Sequence, residues 1–338
     1  MDRKSIIGFI LLAVLFYVWM TLNQHNNKKM QAEKKLQDSV MLSKITQQKA
    51  DSLKALEALS PRNDSAGIKI SDTSSIVKRQ PPAEVTLEND LIALTVSNVG
   101  AKIKQIHLKQ YKTSAEDAKG NEVREPLLLQ EAPENEMVYI LPLANGSKLE
   151  TVSLPSTVEK SGDKIILKTE LPNQAFLEQS YQFDTAAYQI DYQAKIIGDP
   201  GLDKSKPITV RWVNNLTRLE KNYQYERTYS TLYFKIAGES SDYTSYSKNT
   251  TVKLKPGQQL EWLSAVNQFF NSSWVPEKPF DNAELTITQG EGEDKYLKKT
   301  EATVTFPIEF SSGQSFGMKV YAGPNEFNRL REYNNSLE

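Results

Sequence analysis

The feature that most constrains this chain is an uncharged apolar run near its start, Ile6–Leu22. As a helix, its 17 residues rise about 25 Å, which approaches the hydrocarbon thickness of a bilayer once Lys4 and Ser5 are included. Tyrosine and tryptophan prefer the headgroup region, and the run carries both near one end. It therefore predicts a transmembrane anchor over residues 1–22. The side chains expected to hold it in the membrane are Ile6, Phe9, Leu12, Leu15, Tyr17 and Trp19.

Two other interpretations of this run are a cleaved signal peptide and a buried core helix. No small-residue cleavage site follows the run, and it is apolar on all sides, so an uncleaved anchor is favoured over both. The charge count does not give the orientation, because Arg3 and Lys4 are matched on the other side by Lys28, Lys29, Lys34 and Lys35. We expect the amino terminus to lie inside, since Arg3 and Lys4 directly adjoin the run.

Two polar segments separate the anchor from the rest of the chain. Residues 28–59 are rich in Lys, Glu, Gln, Ala and Leu and lack Gly and Pro, which predicts a helical stalk over residues 23–60. Its apolar stripe is too interrupted for a coiled coil. Residues 61–82 are rich in Ser and Asp and have no apolar period, so they predict a flexible linker that ends at Pro81-Pro82.

From residue 83 to residue 322 the hydrophobic pattern changes to a period of two, which is typical of half-buried strands. The clearest alternation runs from Tyr188 to Ile196, and shorter examples are Ile92–Val96, Ile106–Leu108, Ile208–Trp212, Leu285–Ile287 and Val304–Phe306. Turn signals separate these runs without helical patterns between them, which indicates antiparallel pairing. The sequence therefore predicts a mainly β fold, and about 240 residues of this kind favour one large antiparallel β-sandwich over a closed barrel.

Two further segments complete this region. Glu261–Phe270 is a dense cluster of aromatic and apolar residues, which predicts a buried strand with a bulge. Gly323-Pro324 is expected to break the last strand, and residues 323–338 are expected to form a closing helix. Phe327 and Leu330 would then share one face of that helix.

The sequence offers little that could carry chemistry. It has no cysteine, which excludes disulfides and thiolate catalysis, and its balanced charge with a pI of 6.3 gives no basic field for nucleic acid. Of its two histidines, only His107 lies in the β region, so no metal pair or catalytic triad is expected. The acidic turn Gly290–Asp294 lacks the spacing of a calcium loop. We therefore expect no catalytic, cofactor-binding or metal-binding residues, and no enzyme activity.

Aromatic side chains could line a sugar cleft, but cross-strand packing is the favoured interpretation. The residues concerned are Trp212, Tyr223, Tyr225 and Tyr229.

Four stretches follow one another along the chain: Met1–Phe9, Asn98–Leu108, Trp262–Phe270 and Val320–Leu330. Together they resemble the YidC-type membrane protein insertases of Gram-negative bacteria, particularly the Bacteroidetes branch. Met1–Phe9 with the anchor is similar to the family's amino terminus, and Asn98–Leu108, which contains Gly100, is similar to its early periplasmic strand pair. A Trp-x₅-Gln-Phe-Phe segment and a Gly-Pro turn with the helix after it are similar to later parts of the family's periplasmic domain. Their matching residues are Trp262, Gln268, Phe269, Phe270, Gly323 and Pro324.

The resemblance implies a periplasmic β-supersandwich similar in fold to sugar mutarotases, on a chain held in the bacterial inner membrane. It implies insertion and folding of integral membrane proteins, with the lipid bilayer, the Sec translocon and nascent membrane proteins as partners. No apolar run after Leu22 is long enough to span a bilayer. The chain is therefore expected to be single-pass, comprising the anchor and periplasmic domain without the family's membrane core.

Two rival functions remain open at this stage. An anchored carbohydrate-binding or mutarotase-like enzyme would need an acid–base pair in a cleft. A periplasmic adaptor of an export complex would need two helical arms that pack against each other, and only residues 28–59 suggest one.

Overall fold

The structure of the chain, a computed structural model, describes residues 83–116, 121–183, 188–290 and 295–326. The expected anchor (1–22), stalk (23–60) and linker (61–82) lie outside the described residues, and so do Phe327 and Leu330. Within the described ranges, no helix has the length and apolar character needed to cross a bilayer.

Twenty-one strands and two short α-helices make up the described part of the chain. The strands are β1 (Glu84–Glu88), β2 (Ile92–Ser97), β3 (Ile103–Lys112), β4 (Ala115–Glu116), β5 (Glu122–Val123), β6 (Pro126–Leu129), β7 (Glu136–Pro142), β8 (Lys148–Glu150), β9 (Ser156–Ser161), β10 (Lys164–Glu170), β11 (Phe176–Phe183), β12 (Gln189–Ile197), β13 (Thr209–Thr217), β14 (Thr231–Ile236), β15 (Ser241–Tyr243), β16 (Thr250–Lys253), β17 (Leu260–Asn267), β18 (Phe270–Pro276), β19 (Asn282–Gln289), β20 (Tyr296–Thr305) and β21 (Phe316–Pro324). The helices are α1 (Tyr223–Tyr229) and α2 (Ile308–Ser311), and Pro172–Gln174 form a 3₁₀ turn.

The strands form three main sheets and one small hairpin sheet. The largest has nine strands in the order β15-β14-β17-β18-β21-β12-β11-β10-β9, and the second has six in the order β16-β19-β20-β13-β7-β8. A four-stranded sheet, β1-β2-β3-β6, and the pair β4-β5 complete the set. Every strand pair in the described ranges is antiparallel, which confirms the predicted pairing.

Alternating side chains build the core, as the period of two predicts. On β12, Ile190, Tyr192, Ala194 and Ile196 are all buried, whereas Gln193 and Lys195 between them are exposed. The two large sheets pack face to face. Trp212 of one stacks on Trp274 of the other, with ring centroids 4.6 Å apart and planes 18° from parallel. The predicted antiparallel β-sandwich is therefore confirmed.

Local structure differs from the prediction at three places. Glu261–Phe270 is not one bulged strand but a hairpin, because the chain reverses at Gln268 and Phe269, and Gln268 adopts a φ of 32°. Helix α1 interrupts a region expected to contain only strands, so three of its tyrosines are helical rather than cross-strand residues. The last strand continues through Gly323 and Pro324, because Pro324 pairs with Phe270.

Candidate functional site

The end of β21 lies beside the tip of the β17–β18 hairpin. Phe270 pairs with Asn267 across the hairpin and with Pro324 on its other side. The structure thus brings together five of the motif residues chosen from the sequence. They are Gln268, Phe269, Phe270, Gly323 and Pro324. We call this place, with Asn325 and Glu326, the exit corner, because the chain passes from here into residues 327–338.

Asn325 holds the exit corner together. Its backbone N–H donates to the carbonyl oxygen of Phe269 at 2.7 Å, and its side-chain Nδ2 donates to the carbonyl oxygen of Gln268 at 2.9 Å. Its Oδ1 accepts a hydrogen bond from Nδ2 of Asn271. The backbone and side chain of Asn325 together therefore fasten the first residue after β21 to both residues of the hairpin turn and to Asn271 on β18.

Aromatic rings fill the space beneath the exit corner. Phe270 is buried and meets the ring of Tyr111 edge-on, with centroids 5.2 Å apart. The hydroxyl of Tyr111 donates to Oε1 of Glu326 at 3.2 Å, and the hydroxyl of Tyr321 donates to the carbonyl oxygen of Pro324 at 2.7 Å. These contacts fix the direction in which the chain leaves the sheet.

The other two motif residues lie elsewhere. Gly100 has a φ of +72° in the turn between β2 and β3, and a Cβ there would lie 2.7 Å from the carbonyl oxygen of Val152. Trp262 is buried within β17. Both residues support local packing rather than the exit corner.

Sequence reasoning missed three residues of the corner: Tyr111, Asn325 and Asn271. No local pattern marks them, because their partners are distant in sequence, as in the bond between Tyr111 and Glu326, 215 positions apart. The nearest signal was the position of Asn325 directly after the Gly-Pro pair, a place where polar side chains often bond to nearby backbone.

A second polar region lies between the sheets, where an enzyme cleft would be sought. Gln130, Thr217 and Trp274 are buried, and each has a side-chain N or O atom without a protein partner. The two cavities that they line have volumes of about 10 Å³ each, enough for one water molecule. Pockets for small ligands usually measure about 300–1,000 Å³, so neither cavity has room for a sugar.

A larger hollow of about 410 Å³ lies beside Tyr111. Its lining residues are Lys109, Gln110, Tyr111, Lys112, Thr113, Ser114 and Arg124. Lys109 is paired with Glu88 at 2.7 Å and Arg124 with Glu122 at 2.9 Å, and the described residues that line the hollow include no imidazole or carboxylate. These lining residues therefore provide no acid–base pair for catalysis.

Two buried titratable side chains lie near helix α1. Burial raises the pKa of Glu226 to about 7, against the opposing effect of the backbone N–H groups of Leu219 and Glu220, which donate to its carboxyl oxygens at 3.0–3.1 Å. Burial also lowers the pKa of Lys298 to about 8, and its ammonium donates to the carbonyl oxygens of Ser230 and Tyr246. Because both side chains bond to backbone groups, we assign them a structural role.

The described residues contain no cluster of three or more His, Asp or Glu side chains able to hold a metal ion. His107 lies half-buried on β3, opposite Ala93 and Leu128 of the neighbouring strands.

The family model and the curated relatives that match this chain point to the same family. A family model described as the YidC periplasmic domain matches residues 84–338. A protein of Phocaeicola vulgatus named membrane protein insertase YidC is 25% identical over 99% of this chain and 52% of its own length. A protein of the same name from Cytophaga hutchinsonii is 25% identical over 97% of this chain and 53% of its own length. The chain thus spans about half the length of the curated relatives it matches.

Among solved structures, a galactose mutarotase related enzyme from Lactobacillus acidophilus is similar to this chain. The TM-score is 0.40 at 11% sequence identity, over 71% of this chain and 97% of the other.

Proposed function

Because the chain belongs to the YidC periplasmic domain family, we propose that it is the anchored periplasmic part of a membrane protein insertase. The anchor of residues 1–22 crosses the bacterial inner membrane once. The β-sandwich of residues 83–326, which we call the β body, lies in the periplasm. The whole protein inserts and folds integral membrane proteins. The agreement of the family model with relatives named as insertases supports this proposal.

The β body acts in this proposal as a docking and positioning module. An insertase lowers the cost of moving polar groups into a bilayer by offering a wet, charged site within it. A β-sandwich outside the bilayer cannot do this, but it can hold the membrane-embedded part in a set orientation and present surfaces to the Sec translocon and to emerging membrane proteins. The proposal assigns no chemical reaction to the chain.

The positioning role is supported by the hydrogen bonds that Asn325 makes to Gln268, Phe269 and Asn271, which we call the Asn325 clamp. It ties the chain that continues toward Phe327 and Leu330 to the hairpin turn through hydrogen bonds of 2.7 and 2.9 Å. A rigid attachment transmits the orientation of the sheet to the following segment, which we propose is a helix at the membrane interface. A loose attachment would not.

The test uses the complete protein, including the part that continues beyond this chain. Asn325→Ala removes the side-chain bonds of the clamp. The matched control Asn135→Ala removes a similar set, since the side chain of Asn135, which directly precedes β7, bonds to Asn214 and Asn215 of β13. Each variant is assayed for insertion of a membrane protein in cells depleted of the native insertase, and its folded amount is measured.

When the two variants are present at equal folded levels, we expect Asn325→Ala to reduce insertion and Asn135→Ala to leave it unchanged. Equal activity of the two variants at equal folded levels would remove the positioning role.

A further inference from the structure

The elements that surround the exit corner all lie at one end of the β body. Strand β14 begins at Thr231 opposite Val266, so helix α1, which precedes it, lies at the end where β17 stops and the hairpin turns. Strand β18 begins there opposite Pro324, where β21 stops. We call this end the exit pole. The far pole is about 30 Å away, because strands such as β13 and β21 have nine residues each.

The exit pole carries exposed aromatic side chains. Among the described residues, Phe269 is 52% exposed, Tyr225 52% and Tyr229 48%. Tyr225 and Tyr229 lie one turn apart on α1, with ring centroids 4.7 Å from each other. Phe269 lies at the hairpin tip, where its backbone is fastened by Asn325. These three side chains form the aromatic rim.

The far pole exposes apolar side chains of another kind. Its exposed apolar residues are Ile197, which ends β12 and is 40% exposed, and Ile308, which begins α2 and is 39% exposed. Among the described residues, the exit pole therefore exposes three aromatic side chains, whereas the two exposed apolar side chains at the far pole are aliphatic.

Tyrosine favours the headgroup region of a bilayer, because its ring is apolar on its faces and polar at its tip, and phenylalanine favours the boundary between headgroups and acyl chains. The proposed membrane anchor, Ile6–Leu22, would keep a bilayer close to the β body. It also continues from the same pole, because residues 327–338 follow Glu326 directly. Two exposed cations near this pole are paired, Arg124 with Glu122 and Lys295 with Glu131, so these two add little attraction to anionic lipid.

We propose that the exit pole rests on the lipid surface and that Phe269, Tyr225 and Tyr229 enter the headgroup region. Binding depends on the aromatic rings and changes little with lipid charge or salt. The inference rests on the proposed function in one respect, that the body lies beside a membrane to which its own chain is anchored. It does not depend on insertion activity.

The test places a tryptophan at each pole of the full 338-residue chain, reconstituted in phosphatidylcholine vesicles. Phe269→Trp reports on the aromatic rim and Ile308→Trp, a matched exposed position, on the far pole. Tryptophan emission is compared between ordinary and brominated phosphatidylcholine, whose bromines quench only at short range. The four native tryptophans give the same background in both variants.

The expected result is a blue shift and added quenching for Phe269→Trp, and neither for Ile308→Trp. Adding Tyr225→Ser and Tyr229→Ser to Phe269→Trp should decrease the quenching, and adding phosphatidylglycerol should leave it unchanged. Equal quenching at both poles, or none at Phe269→Trp in vesicles that carry the chain, would overturn the inference and point to a protein partner at this pole.

Flotation of the vesicles separates the two proposals. A chain that does not float with the vesicles overturns the anchored arrangement, and the lipid contact with it. A chain that floats without quenching at Phe269→Trp overturns the lipid contact alone.

Discussion

Gly323 shows at the scale of one residue why the exit corner needs a position without a side chain. A Cβ there would lie 2.8 Å from Cγ of Tyr188 and 2.8 Å from the hydroxyl oxygen of Tyr321, both well inside van der Waals contact. Cγ of Tyr188 is close to the backbone and cannot move away without moving the ring. The glycine is therefore required by close approach rather than by a left-handed backbone conformation.

Gly323→Ala is expected to lower the free energy of unfolding by about 1–3 kcal/mol, the usual cost of overpacking a core. Gly317→Ala, on the same strand, is the matched control. The three atoms nearest to its Cβ would all belong to the carboxyl group of Glu277, which is the mobile end of a side chain, so the loss should stay below about 1 kcal/mol. Urea denaturation of both variants measures the difference. Equal losses would show that the two tyrosines are free to rearrange.

The sequence indicated Gly323 and Pro324 as a pair but could not give the reason for either. The pattern around them marks a turn, whereas the requirement comes from Tyr188, which is 135 positions away and directly precedes the neighbouring strand β12. Contacts between distant residues of this kind leave no trace in local composition.

Helix α1 shows at the scale of one element how a buried carboxyl group fixes a short segment. Asn222 caps the helix by accepting a hydrogen bond from the N–H of Tyr225 at 3.0 Å, and Glu226 on its inner face accepts from the backbone of Leu219 and Glu220. Without the hydrogen bonds to Asn222 and Glu226, a helix of only seven residues would not be stable at this position.

The pKa of Glu226 makes the stability of this arrangement dependent on pH. Burial raises the pKa from 4.5 to about 7, so between these values the folded chain holds a proton that the unfolded chain releases. The free energy of unfolding should therefore fall as the pH rises from about 4.5 to about 7, by up to about 3 kcal/mol, and then stay level as far as this group is concerned.

Glu226→Gln should remove this decline, since an amide does not titrate. Denaturation midpoints between pH 4.5 and pH 8 measure it, and Glu84→Gln on the exposed surface of β1 serves as the control that should keep the wild-type profile. A Glu226→Gln profile parallel to that of the wild type would assign the pH dependence to other groups.

Strands were predictable where one face is buried, and less so where the chain reverses or a helix is short. The alternation at β12 gave both the strand and its buried face. The run Glu261–Phe270 contains no Gly, Pro or Asp at its reversal, so the hairpin was missed, and Gln268 takes a positive φ that its residue type does not signal. Helix α1 was missed because Tyr223, Tyr225 and Tyr229 suit a strand equally well.

At the scale of the whole molecule, the sheets share one core. Buried side chains from Leu87 to Ala322 form a single cluster drawn from all three larger sheets. The stack of Trp212 on Trp274 and the hydrogen bond between the hydroxyls of Tyr139 and Tyr192 join the nine-stranded sheet to the six-stranded one. The period of two predicted this architecture, but it could not give the order of the strands, which depends on pairing between distant segments.

A fragment of residues 83–326 should therefore fold without the residues before it. We expect a soluble protein with a β-type circular dichroism spectrum and one cooperative unfolding transition, because no sheet can lose its packing without exposing the others. Two separate transitions, or a need for residues 1–82 to keep the fragment soluble, would contradict the idea of one shared core.

The boundary suggested by the sequence, residue 322, gives the comparison that tests the exit corner within this fragment. Ending at Ala322 removes the pairing of Pro324 with Phe270, the three hydrogen bonds of Asn325 and the bond from Tyr321 to Pro324. At about 0.5–1.5 kcal/mol for each of these four hydrogen bonds, residues 83–322 should be less stable than 83–326 by about 2–6 kcal/mol. If the two fragments unfold at the same urea concentration, residues 323–326 do not belong to the folded body, and the Asn325 clamp cannot transmit its orientation.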